Sequence, residues 1–160
     1  MKRQRGVVLL VALILLLMVG LLGASALHDA QLQARMSGDL TASTKAFEQA
    51  ESVLAEAGAR LLVTVPPPCQ SCMPPPPPQA ARDAGGEGDG GWLALEEGFF
   101  LVQNLGNTSL AAHTSPGTSV TLVRVTAVSR QARGRRVLEA VYAVHDDPPY
   151  LLRRITWRQR

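Results

Sequence analysis

Cys69 and Cys72 are the two side chains whose spacing most suggests chemistry. A Cys-x-x-Cys pair can act in thiol–disulfide exchange at the start of a helix in a βαβ unit, or supply half of a four-ligand zinc site. Here the pair lies between Pro-Pro-Pro and Met-Pro-Pro-Pro-Pro-Pro, which is not such a setting. In an oxidising compartment the two thiols could form a disulfide that closes a very short loop. We interpret them as a structural or incidental pair and leave their oxidation state open.

The other ionisable side chains do not form a metal-binding or catalytic pattern. The three histidines lack the spacing of metal ligands: His28, His113 and His145. Glu96-Glu97 and Asp146-Asp147 are adjacent pairs, and adjacent strand residues point to opposite faces of a sheet. The stretch GGEGDGG lacks the lysine and the strand–helix context of a phosphate-binding loop. The sequence therefore predicts a protein that is not an enzyme and uses no cofactor, metal or small-molecule substrate.

Length and charge narrow the remaining classes of protein. The 160 residues suit one compact domain with accessory segments. The formal net charge is only +3 and aromatic residues make up 4% of the chain, without a basic patch interleaved with aromatics. Because binding to nucleic acid depends on clustered phosphate contacts, we do not expect nucleic acid as a partner.

Residues 7–27 form an uninterrupted apolar segment of twenty-one residues without an ionisable side chain. As a helix they would be about 32 Å long, enough to cross the hydrocarbon core of a bilayer. Lys2, Arg3 and Arg5 precede the segment, and the first acidic residue, Asp29, follows it. The positive-inside rule then leaves the N-terminus in the cytoplasm and places the rest of the chain across the membrane.

A cleaved secretory signal is the alternative interpretation of this segment. The small residues Ala24, Ser25 and Ala26 fit a signal-peptidase cleavage pattern after a basic N-terminal region. The apolar run is, however, longer than the hydrophobic region of a signal peptide. No helix-breaking residue precedes Ala24, and a helical pattern continues beyond the run.

The helix is predicted to continue to residue 62 with one apolar face. Apolar or small residues recur every three or four positions, at Leu32, Met36, Leu40, Ser43, Phe47, Ala50, Leu54, Ala57 and Leu61. Charged and amide side chains between them form an opposite, polar face. The sequence thus predicts a single helix over residues 7–62, membrane-spanning in its first part and packed against a sheet of its own chain in its second.

Residues 63–92 read as a linker, and residues 93–160 as a small antiparallel sheet. The stretch 66–91 is rich in proline and then glycine, which favours a spacer over a PxxP recognition ligand. Strands are predicted at residues 98–103, 120–128, 136–144 and 151–157, the second and third as a hairpin. Four strands and one amphipathic helix predict an α+β fold, in which the long N-terminal helix packs on an antiparallel sheet of about four strands.

Several segments together resemble the type IV pilin superfamily, and most closely its PilX-like minor pilins. A leader of Lys2 to Gly6 enters the apolar helix, and the stem contains Arg-Met-Ser-Gly-Asp-Leu from Arg35 and Ala-Phe-Glu-Gln-Ala-Glu from Ala46. The chain closes with Arg-Ile-Thr-Trp-Arg-Gln from Arg154, similar to the family's C-terminal strand. The resemblance covers residues 1–62 and 120–160.

The resemblance implies a pilin-like life cycle. Residues 1–6 would be a leader removed by prepilin peptidase between Gly6 and Val7, with N-methylation of Val7. The protein would be held in the bacterial inner membrane, its C-terminal domain periplasmic, and then enter a pilus near the tip. Val11 occupies the position where the family usually has glutamate. The implied partners are prepilin peptidase, the major pilin and other minor pilins, with a large tip adhesin as a further candidate.

Two alternatives remain open from the sequence. A minor pseudopilin of type II secretion would share the leader and the stem, although the PilX-like ending argues against it. A simple membrane-anchored or signal-cleaved envelope protein would share only the apolar segment. The sequence does not select among adhesion, motility and DNA uptake as the role of such a pilus.

Overall fold

In the computed structural model, which describes residues 4–70, 72, 91–145 and 151–160, one long helix is followed by a five-stranded antiparallel sheet. The elements are α1 (Gln4–Arg60), β1 (Trp92–Ala94), β2 (Gly98–Thr108), β3 (Val120–Ser129), β4 (Val137–His145) and β5 (Leu152–Gln159). Each strand pairs with the next one along the chain, in the order β1-β2-β3-β4-β5. The predicted α+β fold, with a long N-terminal helix on an antiparallel sheet, is confirmed.

The sheet has one strand more than the sequence predicted, and β2 is longer. Trp92 lies in β1, a three-residue strand paired with β2, rather than in the predicted linker. β2 continues to Thr108 through a register shift between Asn104 and Gly106. Gly106 has a φ of 97°, which glycine adopts without strain, so the extra residue of the bulge, Leu105, is accommodated beside it.

The helix ends two residues before the predicted end. Beyond Arg60 the backbone continues in tighter i→i+3 turns, in which the amide of Leu61 donates to the carbonyl of Gly58 at 3.1 Å and that of Leu62 to Ala59 at 3.2 Å. Such bonds satisfy carbonyls that a helix leaves free at its C-terminus.

The chain divides into two units, Met1–Thr41 and Ala42–Arg160, and α1 contributes to both. In the second unit, packing of the helix begins at Ala42: its buried residues are Ala42, Ala46, Ala50, Val53, Leu54, Ala57 and Leu61. The predicted apolar stripe is therefore correct from Ser43 onward. Leu32, Met36 and Leu40, which continue the stripe in the first unit, are exposed rather than packed.

The main core of the second unit lies between α1 and one face of the sheet. Helix residues such as Leu54 and Ala57 pack with inward-facing residues of three strands: Phe100, Val123, Val125, Ala127, Leu138, Ala140, Tyr142 and Val144. Alanines at the helix contact allow the helix backbone to approach the sheet closely, while the large side chains come mainly from the strands. Complete burial of each Val, Leu or Phe side chain stabilises the fold by about 1.5–3 kcal/mol.

A second, smaller cluster lies on the sheet face that points away from α1. It contains Trp92, Leu101, Val128 and Val137, with Phe99 packed against it. These residues alternate along their strands with those of the main core, as the period of two in a strand requires. Burial on both faces explains why β3 and β4 read as nearly continuous runs of β-branched residues.

The turn between β3 and β4 contacts the helix directly. Gly134 has a φ of 68°, and a side chain there would place Cβ 3.0 Å from the backbone of Ser43. Arg136 donates to the hydroxyl of Ser43, and the amide of Gln131 donates to Gln49 Oε1 at 3.2 Å. These contacts fix the turn against the second unit's part of α1.

Tyr142 is buried where β4 meets the helix. Its hydroxyl lies close to Gly58, since a Cβ at that glycine would be 3.2 Å from it. Burial raises the pKa of Tyr142, and the charge of Glu51 raises it further. The charge and hydrogen bond of Arg154 act in the opposite direction, so burial dominates the pKa.

This raised pKa predicts a loss of stability in alkali. The unfolded chain ionises Tyr142 near its ordinary pKa of about 10, while the folded chain keeps the proton to higher pH. Below the unfolded-state pKa neither state ionises Tyr142, so this group does not change the free energy of unfolding. As pH rises from there through the folded-state pKa, the unfolded chain loses the proton first, and the free energy of unfolding falls. Thermal melts of the wild type and Tyr142→Phe between neutral pH and pH ~11 should show a steeper alkaline fall for the wild type. Parallel pH profiles would contradict the prediction.

Candidate functional site: the exposed apolar helix and its junction

The first unit of the chain is dominated by an apolar helical surface that nothing described covers. All side chains at residues 7–27 are exposed, for example Leu9 at 73% and Leu16 at 73%. The helix Val7–Arg60 reaches a mean hydropathy of 3.1 in its most apolar 18-residue window, none of which is buried. By length and composition this helix can cross a membrane, although a signal sequence near an N-terminus meets the same criterion.

The residues expected to form a processing junction lie at the start of this surface. Gly6 and Val7 are both within α1, and Val7 is 64% exposed. Residues 1–3 of the predicted leader lie outside the described residues. Val11 is 49% exposed one turn further along, so the position that lacks glutamate belongs to the same open apolar surface. Cleavage between Gly6 and Val7 and methylation of Val7 stay predictions.

Leu32, Met36 and Leu40 extend an apolar line beyond the segment of residues 7–27. They follow one another at intervals of four and are 41%, 64% and 69% exposed. Residues spaced in this way lie on one face of a helix. The polar residues of this stretch, such as Asp39 and Arg35, are exposed as well. This part of α1 therefore has an apolar face available for contact with another molecule.

The segment that follows the helix is held to β2 through Asn104. Cys69 and Cys72 form a disulfide with a Cα–Cα distance of 5.4 Å, and the amide of Cys69 donates to the carbonyl of Asn104 at 3.0 Å. Pro68 forms a short parallel bridge with the same residue. With a sequence separation of only three, the disulfide removes little chain entropy and acts mainly as a local clamp. Residues 73–90 of the predicted linker lie outside the described residues.

Asn104 is a structural residue that sequence reasoning missed. Its side chain is buried, donates through Nδ2 to the carbonyl of Pro66 at 2.7 Å, and accepts the amide of Gly106 at 2.9 Å. One side-chain amide thus forms hydrogen bonds both to the segment that follows the helix, at Pro66, and to the bulge of β2, at Gly106. The predicted strand ends at residue 103, and nothing in the sequence marks Asn104.

Replacing Asn104 with alanine should loosen the segment between the helix and the disulfide. The change removes both hydrogen bonds and leaves the carbonyl of Pro66 without a donor, which costs about 1–3 kcal/mol. The measurements are a thermal melt and limited proteolysis within residues 63–70. Thr108→Ala is the matched control on the same strand, because its hydroxyl accepts only an exposed bond from Leu110 at 3.1 Å. Equal effects of the two substitutions would contradict the role of Asn104.

Among the described residues of the second unit, Glu139 is buried, and it is held by Arg158 of β5 and by Arg160, which follows the strand. Its Oε1 lies 2.5 Å from Arg158 Nη2 and its Oε2 lies 3.4 Å from Arg160 Nη1. The side chain of Glu139 is only 6% exposed. A buried carboxylate is costly without a partner, so this pair of contacts ties the end of β5 to β4.

The other ionisable candidates are not brought together. His28 lies on the exposed helix, His145 ends β4, and His113 lies in the β2–β3 loop with a φ of 62°. Among the described residues no group of three or more His, Cys, Asp or Glu side chains could hold a metal. Glu96 and Glu97 lie in the β1–β2 turn, and Asp146 and Asp147 lie outside the described residues.

An apolar cleft of about 430 Å³ opens beside the C-terminus of α1. Phe100, Val102 and Leu93 line it from the sheet, and Arg60 lies over the Phe100 ring at 5.3 Å. Arg60 also pairs with Glu56 at 2.8 Å. Ligand sites combine apolar walls with several converging polar groups. Here the described lining offers little beyond Arg60, which is already engaged, so the cleft supports no small-molecule site.

Comparison of the chain with protein-family models, with curated proteins and with solved structures found no match. The functional interpretation therefore depends on the chain's own residues and their arrangement.

Proposed function

We propose that this chain is a minor pilin that takes part in initiating a type IV pilus and sits near its tip. The observation that carries the proposal is the division of one 57-residue helix between two environments. Its apolar first part is exposed along its whole length, and its second part forms one wall of a folded domain from Ala42 onward. The leader, stem and C-terminal motifs that resemble PilX-like minor pilins supply the specific identity.

The exposed apolar helix needs an apolar environment at each stage, first the membrane lipid and then the filament. In the inner membrane, lipid covers residues 7–27, and the helix satisfies its own backbone hydrogen bonds. In a filament, apolar helices of neighbouring subunits would replace the lipid, so extraction exchanges one apolar environment for another. Leu32, Met36 and Leu40 lie beyond the length needed to span a bilayer. In this proposal they meet neighbouring subunits.

Val11 supports a position near the tip rather than in the shaft. In the family that the chain resembles, the glutamate at this position pairs with the N-terminal amine of a neighbouring subunit. A valine offers no carboxylate, so a subunit carrying Val11 cannot provide that contact. Such a subunit suits a site present in few copies, where one side of the usual interface is not needed.

A minor pseudopilin of type II secretion is the second candidate, because it would use the same leader and the same exposed helix. The C-terminal Arg-Ile-Thr-Trp-Arg-Gln run, which forms most of β5, favours the pilus protein. A simple membrane-anchored envelope protein is a third candidate. It would need the apolar segment but neither cleavage at Gly6 nor the exposed stripe that follows.

Blocking the predicted cleavage tests the proposal. Gly6→Leu places a bulky side chain at the scissile bond, and we expect the precursor to stay uncut and surface pili to be strongly reduced. The measurements are the mass of the membrane-bound protein and the amount of sheared pili, in a strain whose own copy of the gene is replaced by the variant. Gly20→Leu is the control for processing, because it adds the same side chain within the helix, where nothing lies within 4 Å. Normal piliation with uncut Gly6→Leu protein would refute the proposal.

A further inference from the structure

We propose that the outer edge of β5 binds an acidic, extended segment of another protein, which adds to the sheet as a further strand. The outer edge is the side of Leu152–Gln159 that faces away from β4. The inference rests on the sheet and its charges, and it does not depend on the chain being a pilin.

The backbone of β5 presents free hydrogen-bonding groups at this edge. The amide of Arg160 donates to the carbonyl of Val137, and the amide of His145 donates to the carbonyl of Leu151. These two bonds identify the hydrogen-bonded pairs at the two ends of the β4–β5 ladder. Alternation along an antiparallel ladder then turns the intervening residues outward. The outward N–H and C=O groups belong to Leu152, Arg154, Trp157 and Gln159. Among the described residues, none pairs with this edge.

The length and surface of β5 distinguish it from the opposite edge of the sheet. β1 has only three residues, whereas β5 has eight and contains no proline. Proteins commonly protect a free edge by making it short, by placing proline or charged side chains on it, or by a β-bulge. β5 is neither short nor interrupted by proline, but it carries arginines and lies opposite the register shift between Val141 and Tyr142. A partner strand must therefore offset the arginine charge. Trp157 is 41% exposed at this edge. Its ring meets that of Phe47 edge to face, with 6.3 Å between the ring centroids.

The charge of β5 selects the chemistry of the partner. Four exposed arginines lie within or next to the strand: Arg153, Arg154, Arg158 and Arg160. The strand itself has no acidic residue, and Arg158 and Arg160 share the single carboxylate of Glu139. An incoming strand with acidic side chains would therefore meet excess positive charge on the sheet face that carries Glu139, where Arg158 and Arg160 share one carboxylate. On the other face Arg154 adds positive charge beside Tyr142, where Glu51 of the helix also acts.

The same arginines argue against a second copy of this chain as the occupant. Antiparallel pairing of two β5 edges would set arginines of one copy against arginines of the other. Like charges placed opposite each other destabilise a pair of strands.

The test uses the full chain in non-ionic detergent micelles and a labelled peptide of about eight residues in which glutamate alternates with valine. We expect it to bind about tenfold more tightly than the same peptide with lysine in place of glutamate. Hydrogen exchange should slow at the amides of Leu152, Arg154, Trp157 and Gln159. Arg153 and Arg158, whose amides already face β4, should show little change.

Gln159→Pro removes one outward N–H without touching the bonds to β4, and should weaken the acidic peptide about tenfold, whereas Gln159→Ala should not. If Gln159→Pro also lowers the Tm, its weaker binding could come from lost stability. The slowed hydrogen exchange at the outward amides of the wild type then decides whether the peptide pairs with this edge. Absence of binding, binding without slowed exchange at the outward amides, or pairing of two copies of the chain through β5 would each overturn the proposal.

Discussion

Replacing Leu13 and Leu17 together with arginine should abolish the membrane insertion that we propose for residues 7–27. The segment 7–27 contains fourteen Leu, Ile and Val residues. At about 0.3–0.6 kcal/mol each, they favour insertion by about 4–8 kcal/mol. One central arginine costs about 2.5–3.5 kcal/mol, which this segment could tolerate, whereas two cost about 5–7 kcal/mol and offset most of the gain. The measurement is the share of the protein that stays in the membrane pellet after alkaline extraction.

Met36→Arg with Leu40→Arg is the matched control for this experiment. It places two arginines at the same spacing on the same helix, at exposed positions beyond the apolar segment. We expect this variant to stay in the membrane like the wild type. If the Leu13 and Leu17 double variant also stays in the pellet, the segment 7–27 is not what holds the protein there.

Replacing Gly98 with alanine should have the largest effect on the stability of the second unit. A Cβ at this position would lie 2.1 Å from the carbonyl oxygen of Val128, which is a backbone atom of the neighbouring strand. Relief would require β2 and β3 to separate at the pair Gly98–Ser129. We expect a loss of about 3 kcal/mol or more, with a fall in Tm of about 10 °C.

Gly117→Ala separates this clash from the general cost of replacing a loop glycine. Gly117 has a φ of 84°, but a Cβ there would have no neighbour within 4 Å. The expected cost is therefore only the backbone strain of about 1–2 kcal/mol. Thermal melts of both variants in detergent give the comparison. A Gly98→Ala protein as stable as Gly117→Ala would mean that the strands are further apart than the structure places them.

Much of the fold follows from periodicity in the sequence. The apolar run at residues 7–27 and the stripe from Phe47 to Leu61 predict α1 because each satisfies a helical period over many turns. β3 and β4 are long β-branched runs, and the structure places them within one residue of the predicted bounds. Long, regular segments carry enough repeats for the pattern to be read without tertiary information.

The elements that the sequence did not predict depend on tertiary contacts. β1 has three residues, too few to display a period, and exists because Trp92, Leu93 and Ala94 pair with β2. β2 continues past its predicted end at residue 103 through a bulge between Asn104 and Gly106, which pairing with β3 stabilises. Leu32 and Met36 fit the helical stripe as well as Leu54 does, yet they are exposed. Periodicity tells which face is apolar but not what covers it.

The candidate site was predictable in part and for a similar reason. Gly6, Val7 and Val11 were identified by their place relative to the apolar run, which is a local feature of the sequence. Asn104 and Glu139 were missed, since their roles come from partners distant in the chain: Pro66 for the first, and Arg158 with Arg160 for the second. Neither carries a sequence signal apart from the structure.

The mass of the mature N-terminus tests the proposed function most directly. The proposed function places the protein in membranes and in sheared pili, and its N-terminal peptide from these fractions is analysed by mass spectrometry. Cleavage between Gly6 and Val7 predicts a chain that begins with an N-methylated Val7. A chain that begins at Leu27 would identify a secreted protein, and one that retains Met1 and residues 2–6 would identify a simple anchor; either result would contradict the proposal.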